Sequence, residues 1–297
     1  MVRKRKGSIG DKVVKGIIVC IILLFSISII YPIWNLLVTS LNDSSTGVMS
    51  GLELLPRKFT LENYKEVLSS QYIWIGYRET IIRTAFGTFL SLLCTSMGAY
   101  ALSKKTLPHK TFFSLFILVT MFFSGGLIPG YLWNVALGLK NNRLVLILPG
   151  LVSAYNLIVM RSFFASIPEE LEESAKIDGA NYFRIFFQII LPVSKASLAT
   201  IGLWIMVGHW NAWFDAMIYM DDPNKLPLQV VLRRILLEGS NQMLNMNSVI
   251  MENQESVISP DTLKAATVFV CMVPILCVYP FIQKYFAQGV MVGSLKG

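Results

Sequence analysis

The chain has 297 residues, 54% of them hydrophobic and only 15% charged, with a formal net charge of +8. A soluble domain normally carries roughly 25% charged residues, so the polar shell of a water-facing globule is missing and lipid must cover much of the surface. The basic excess sits mostly at the ends of apolar runs, where topology and anionic lipid explain it, and no arginine stripe interleaved with aromatics marks a nucleic-acid face.

A bilayer core of ~30 Å takes ~20 apolar residues in a helix. Charge-free runs that meet or nearly meet this length cover 16–42, 84–103, 111–139, 144–160, 196–214 and 265–283. None alternates as a strand would, and lipid admits only helices or closed barrels. The expectation is an all-α polytopic membrane protein with about six transmembrane helices, at about 14–41, 79–103, 111–137, 143–163, 193–219 and 263–284, within a membrane domain over 16–286.

The first run follows a tail, 1–15, bearing Arg3, Lys4, Arg5 and Lys6. Its apolar stretch is too long for a signal peptide and no small-residue cleavage site follows, so a retained anchor with a cytoplasmic N-terminus is expected. The basic bias between the two sides is modest, with Arg78 and Arg83 on the unexpected side. Segment 42–77 is assigned outside, with a capped helix start at Phe59-Thr60-Leu61-Glu62-Asn63-Tyr64. In the third run Gly125, Gly126 and Pro129 interrupt the helix. It either kinks along a solute path or ends near Ser124 with a short outer helix following.

Between the fourth and fifth runs lies a polar segment, 161–195, assigned to the cytoplasm. Ser166 and Glu169 have capping-box spacing and Pro168 suits a first turn. Glu169, Glu170, Glu172 and Glu173 crowd the positive end of the short helix they begin. Leu171, Ser174 or Ala175, and Asp178 form a stripe with small side chains at its centre, Gly179 permits a sharp turn, and 182–190 reads as a second amphipathic helix before Pro192. Four glutamates would be repelled by anionic lipid, so a protein partner suits this surface better than headgroups do.

The fifth run offers Trp204, His209, Trp210, Asn211, Trp213, Asp215 and Tyr219, aromatic faces and polar edges of the kind that hold sugars. At helical spacing Trp210, Trp213 and Phe214 share a face, and Asn211 and Asp215 lie four apart on a neighbouring one. The substrate-path candidates are therefore Trp210, Asn211, Trp213 and Asp215, with Tyr155 and Asn156 from the fourth run. The runs hold no Lys, Arg, Asp or Glu, with Asp215 just at an edge, which points to a neutral solute and away from an ion-coupled carrier. Segment 221–261 is placed outside with a helix around 228–237, and both outer segments are of a size to dock an external partner. No G-x-x-x-x-G-K-[ST] phosphate loop occurs, so energy must come from a partner or an ion gradient. Cys20, Cys94, Cys271 and Cys277 form no C-x-x-C pair and His109 and His209 stand alone, so neither a metal site, a cofactor nor catalysis is expected. Without further information an ion-coupled secondary carrier or a channel remains the rival reading, although no internal repeat of the carrier type is visible.

The run Ser166-Ile167-Pro168-Glu169-Glu170-Leu171-Glu172-Glu173-Ser174-Ala175-Lys176-Ile177-Asp178-Gly179-Ala180, followed by Ile189-Ile190-Leu191-Pro192, closely resembles the EAA loop of ABC importer permeases. Leu148-Pro149-Gly150, Arg161-Ser162-Phe163-Phe164 and Trp210-Asn211-Ala212-Trp213-Phe214 are similar to its carbohydrate-uptake branch. The ending Tyr285-Phe286-Ala287-Gln288-Gly289 and Gly293-Ser294-Leu295-Lys296-Gly297 resembles the maltose-type second permease subunit, and Phe122-Phe123-Ser124-Gly125-Gly126-Leu127-Ile128-Pro129 a subgroup importing complex or plant-derived oligosaccharides. Two departures are Ser174 for the first alanine of the EAA triplet and Ala196 where a proline is common.

The resemblance implies a type I ABC importer permease fold with a coupling loop over 166–192. It implies Glu172, Glu173, Ser174, Ala175, Asp178 and Gly179 as the coupling surface for an ATPase. The implied partners are a second permease subunit, two ATPase subunits that bind the ATP and Mg, an extracytoplasmic solute-binding protein, membrane lipid and a sugar substrate, in a bacterial cytoplasmic membrane. The tail 287–297, with Gly289, Gly293 and Gly297 spaced by four, would be cytoplasmic and reach the ATPase dimer.

Overall fold

The computed structural model describes residues 9–43, 54–238 and 260–294. Among them the chain is helical, with one isolated bridge, Asn42 to Phe59. It divides into two compact units, Met1–Ser70 with Arg234–Cys271, and Gln71–Arg233 with Met272–Gly297.

In the first unit α1 (Ile9–Ser40) is 32 residues long, and its apolar residues, Leu24 and Phe25 among them, stand exposed. A helix apolar all round with no protein cover belongs in lipid. At its end a polar knot forms around Asn63 of α2 (Glu62–Ser69), which is 1% exposed. Its Nδ2 donates to the carbonyls of Ser40 and Asn42, each at 2.9 Å, and its Oδ1 accepts from Thr262 Oγ1 at 3.1 Å. The helix starts where expected but not with the expected cap: Leu61 is the cap residue and makes no side-chain bond, while Thr60 Oγ1, one position earlier, accepts from the Glu62 N–H. Asn63→Ala leaves two buried carbonyls without their donor, and thermal or denaturant unfolding should show a loss of roughly 1–3 kcal/mol.

In the second unit α3 (Gln71–Ser103) is the hub, and α6 (Ala154–Phe164) and α9 (Lys195–Asn211) pack along it. At 33 residues α3 is about 50 Å long, well beyond the bilayer core, so its first turns can carry charge. They carry Arg78, Glu79 and Arg83, which the charge-free run starting at 84 left out. Glu79 is buried yet fully paired: Arg143 reaches it at 2.5 and 2.9 Å, and Arg78 at 2.8 Å.

Among the described residues three helices are long and apolar enough to cross a membrane, or up to five spans if two bent pairs are each counted once. The third run breaks as one of the two expected alternatives had it: α4 (Lys110–Phe122) and α5 (Leu127–Ala136) meet at 112° across Ser124-Gly125-Gly126. The second bent pair is α8 (Tyr182–Val193) with α9, at 85°. The fourth run is not one continuous span. Pro149 and Gly150 separate a 3-10 turn, Arg143–Leu146, from the 11 residues of α6, about 16 Å of helix. The fifth run also divides: α9 stops at Asn211, Ala212 is extended, and α10 (Phe214–Tyr219) starts anew. Helices α11 (Leu228–Glu238) and α12 (Pro260–Ser294) follow, the latter continuing into the tail expected at 287–297. Gly297 lies outside the described residues.

Candidate functional site

The acidic segment after α6 forms α7 (Glu170–Ile177), with Glu170, Glu172 and Glu173 in its first turn and Lys176 in its last, each at the end that the helix dipole favours. The expected capping box is absent. Ser166 Oγ donates instead to the Phe163 carbonyl at 2.7 Å, closing the end of α6, and α7 starts on the Glu169 carbonyl, which accepts from Glu172 and Glu173. At the other end Gly179 takes φ +77, its N–H donates to the Lys176 carbonyl, and the Ala180 N–H reaches back to the Ala175 carbonyl. This pair of bonds is the Schellman closure, and it needs a left-handed residue after the cap. Nothing lies within 4 Å of where a Gly179 Cβ would stand, so conformation and not crowding within this chain selects glycine.

Packing sorts the six expected coupling residues into two groups. Glu173, Ser174, Asp178 and Gly179 are exposed, whereas Ala175 is buried in the core beside Ile185 and Phe186, and Glu172 is turned inward. Glu172 forms an ion pair with Lys104, both side chains under 20% exposed, and accepts from Tyr100 Oη at 3.4 Å. The Lys104 ammonium in turn stands 3.8 Å from the Tyr100 ring centre. Burial pushes the Lys104 pKa below its ordinary value, and Glu172 beside it pulls the other way. One residue on, Lys105 pairs with Glu169 at 2.8 Å, raising the lysine pKa and lowering that of the carboxyl. Glu172 and Ala175 therefore fasten α7 to the end of α3 and to α8, and do not belong to its outward face. That face gains Ile177, 87% exposed, a large apolar residue that the sequence reading passed over.

Past Gly179, the Asn181 side chain caps α8 by accepting from the Arg184 N–H. The expected helix 182–190 continues to Val193 through a π turn, Phe186–Ile190, where the Leu191 N–H bonds the Phe186 carbonyl. Pro192 lies inside this helix and offers no N–H of its own.

The expected substrate-path residues do not form one surface, because the break at Ala212 ends the helical register on which their shared faces rested. Trp210 is buried toward an apolar cavity of about 430 Å³. Trp213 stacks under the Arg233 guanidinium at 3.9 Å, and Asn211 is exposed. Asp215 forms a two-pronged ion pair with Arg83, whose Nη1 also donates to the freed Ala212 carbonyl at 3.3 Å. Tyr155 is exposed and packs 5.9 Å from Trp204, while Asn156 lines a polar cavity together with Arg83, Trp204 and His209.

This bundle, with a short acidic helix clamped to α3, has relatives among known protein families. The model for "Binding-protein-dependent transport system inner membrane component" matches residues 1–292. The chain belongs to that family. The permease is 37% identical over 292 residues to the polygalacturonan/rhamnogalacturonan transport system permease protein YtcP of Bacillus subtilis, covering 98% of this chain and 100% of that one. It is 27% identical over 273 residues to the arabinooligosaccharides transport system permease protein AraQ of Halalkalibacterium halodurans, covering 90% and 91%. Among solved structures it is similar to a chain of a bacterial ABC transporter involved in the import of the acidic polysaccharide alginate, with TM-score 0.85 and 32% identity over 94% of this chain and 99% of that one. The fold is that of a type I ABC importer permease.

Proposed function

We propose that this permease is the second membrane subunit of an ATP-driven importer of oligosaccharides, receiving sugar from an external binding protein. The observation that carries this is α7. Its exposed face, Glu173, Ser174, Ile177, Asp178 and Gly179, is free to dock, while Glu172 and Ala175 transmit its movement to α3 and α8. Two ATPase subunits, binding ATP and Mg, would grip the outward face. Their closure would tilt α7 and drive the bent α8–α9 pair between inward- and outward-facing states. Both termini are then cytoplasmic. The names of the relatives support sugar as cargo, and those of YtcP and of the alginate importer favour acidic chains as a second reading of the class.

The test is reconstitution of the permease with its partner permease, ATPase and binding protein in liposomes. Hydrolysis should rise when sugar-loaded binding protein is added outside, and labelled sugar should accumulate only with ATP. Accumulation driven by an ion gradient without ATP would favour the secondary-carrier reading instead.

A further inference from the structure

The cavity at Asn156, between α3, the turn before α6 and α9, has a volume of about 240 Å³. One water needs only ~10–15 Å³ of such volume, and pockets for drug-sized ligands begin near ~300 Å³, so this space is on the scale of a single small ring. Arg83, Ser91, Thr95, Asn156, Trp204 and His209 line it.

Three of these groups are deeply buried and unsatisfied. Arg83, Ser91 and Thr95 are 5%, 2% and 1% exposed, and Arg83 Nε, Ser91 Oγ and Thr95 Oγ1 have no hydrogen-bond partner among the described residues. Hydroxyls on membrane helices ordinarily turn back to a carbonyl of the preceding turn. Ser96 and Thr200 in this bundle do so, to Leu93 and Ala196. Ser91 and Thr95, one turn apart on α3, do not. Buried polar atoms left open around a cavity with an indole wall are the complement of a ring with hydroxyls at its edge and C–H groups on its face.

Charge narrows the class. Both terminal nitrogens of Arg83 pair with Asp215, so the cation is neutralised, and its buried Nε–H is left without a partner. A carboxylate brought here would find the Arg83 charge already taken by Asp215. We propose that this cavity is a transit subsite for one sugar ring, binding through its hydroxyls with the ring face against Trp204, and that it is indifferent to carboxylates carried elsewhere on the chain. This rests on the sugar-import reading above and adds the site and the part of the substrate it recognises.

On the same helix Thr84 Oγ1 and Thr88 Oγ1 are also without partners, but they line the apolar cavity with Ile81, Phe89 and Leu203. Thr88 is therefore an internal control.

In the complete importer, with the four native cysteines replaced, Ser91→Cys, Thr95→Cys and Thr88→Cys are labelled with a small cationic methanethiosulfonate during turnover. Trigalacturonate, arabinotriose and raffinose are supplied in turn. The trisaccharide that the importer accumulates should slow labelling at positions 91 and 95 by about fivefold, as one or two competing hydrogen bonds imply, and leave position 88 unchanged. A trisaccharide that is not accumulated should protect neither. Thr95→Val, which keeps the shape and removes the hydroxyl, should reduce uptake by about three- to tenfold, and Thr88→Val by less than about twofold. Robust uptake with no protection at 91 or 95, no labelling there in any state, or equal effects of the two valine variants would overturn the subsite while leaving sugar import intact. Failure of all three sugars to accumulate under ATP would remove the import reading and the subsite with it.

Discussion

Gly179→Val is expected to lower sugar uptake by the reconstituted importer at least about tenfold while the ATPase subunits continue to hydrolyse ATP. The left-handed conformation at this position costs a residue with a Cβ roughly 1–2 kcal/mol, and a β-branched side chain fits it worst. Relaxing that strain opens the Lys176–Gly179 and Ala175–Ala180 bonds, so the last turn of α7 and its angle to α8 change together. Because the space around Gly179 is open within this chain, Gly179→Ala should cost less than Gly179→Val if backbone strain dominates. If an apposed ATPase surface dominates, Gly179→Trp should be worst of the three and should also weaken co-purification of the ATPase. Uptake by Gly179→Trp at the normal rate, with normal ATP consumption, would rule out both.

Glu172→Gln is the second expected loss, and here the cause lies inside the permease. Removing one partner of a fully buried ion pair costs ~3–5 kcal/mol, and the partial exposure of this pair reduces that to roughly 1–3 kcal/mol. The consequence is a looser joint between α7 and α3, with the outward face of α7 untouched. ATPase binding should therefore persist while the sugar delivered per ATP falls. Lys104→Met should have the same effect, since it leaves Glu172 against the Tyr100 ring without a cation. The exchange variant Glu172→Lys with Lys104→Glu should recover part of the loss, as a positive coupling in a double-mutant cycle. Loss of ATPase co-purification in Glu172→Gln alone would place Glu172 on the docking surface and contradict the inward assignment.

Much of this molecule is legible in the residues, within limits set by physics. α1 was readable because 29 residues from Lys12 to Ser40 form one apolar helix. The charged start of α3 was only partly readable, with the expected span beginning at about 79 and the helix at Gln71, because a hydropathy scan sees the charges of Arg78, Glu79 and Arg83 but not the partners Arg143 and Asp215 that neutralise two of them from 64 and 132 positions away. The breaks at Pro149-Gly150 and Ala212 were hidden for a related reason. Apolar composition measures affinity for lipid, and a run can stay apolar across a break whose backbone groups the protein satisfies, as Arg83 does for the Ala212 carbonyl.

The coupling helix shows the same division. Its glutamates, its stop at Gly179 and its place between spans were plain, yet the direction in which each residue faces was not. Glu172 and Glu173 are adjacent and chemically identical, and a turn of ~100° per residue sends one to Lys104 and the other outward. Only the position of α3 decides which. Lys104 itself carried a signal, a basic residue directly after an apolar run, but that signal is shared by every span that obeys the topology rule. Ser91 and Thr95 had none, since hydroxyls in membrane helices usually satisfy themselves.

Whether a motor holds α7 can be read from one position. In a version of the importer whose native cysteines, Cys20, Cys94, Cys271 and Cys277, are replaced, Ser174→Cys lies on the exposed face of α7. A membrane-impermeant maleimide should fail to label it in intact cells, label it in inside-out vesicles, and lose that labelling when ATPase subunits are bound. Labelling from outside intact cells, or labelling from inside that bound ATPase does not diminish, would mean that this helix is not the handle through which ATP hydrolysis moves sugar.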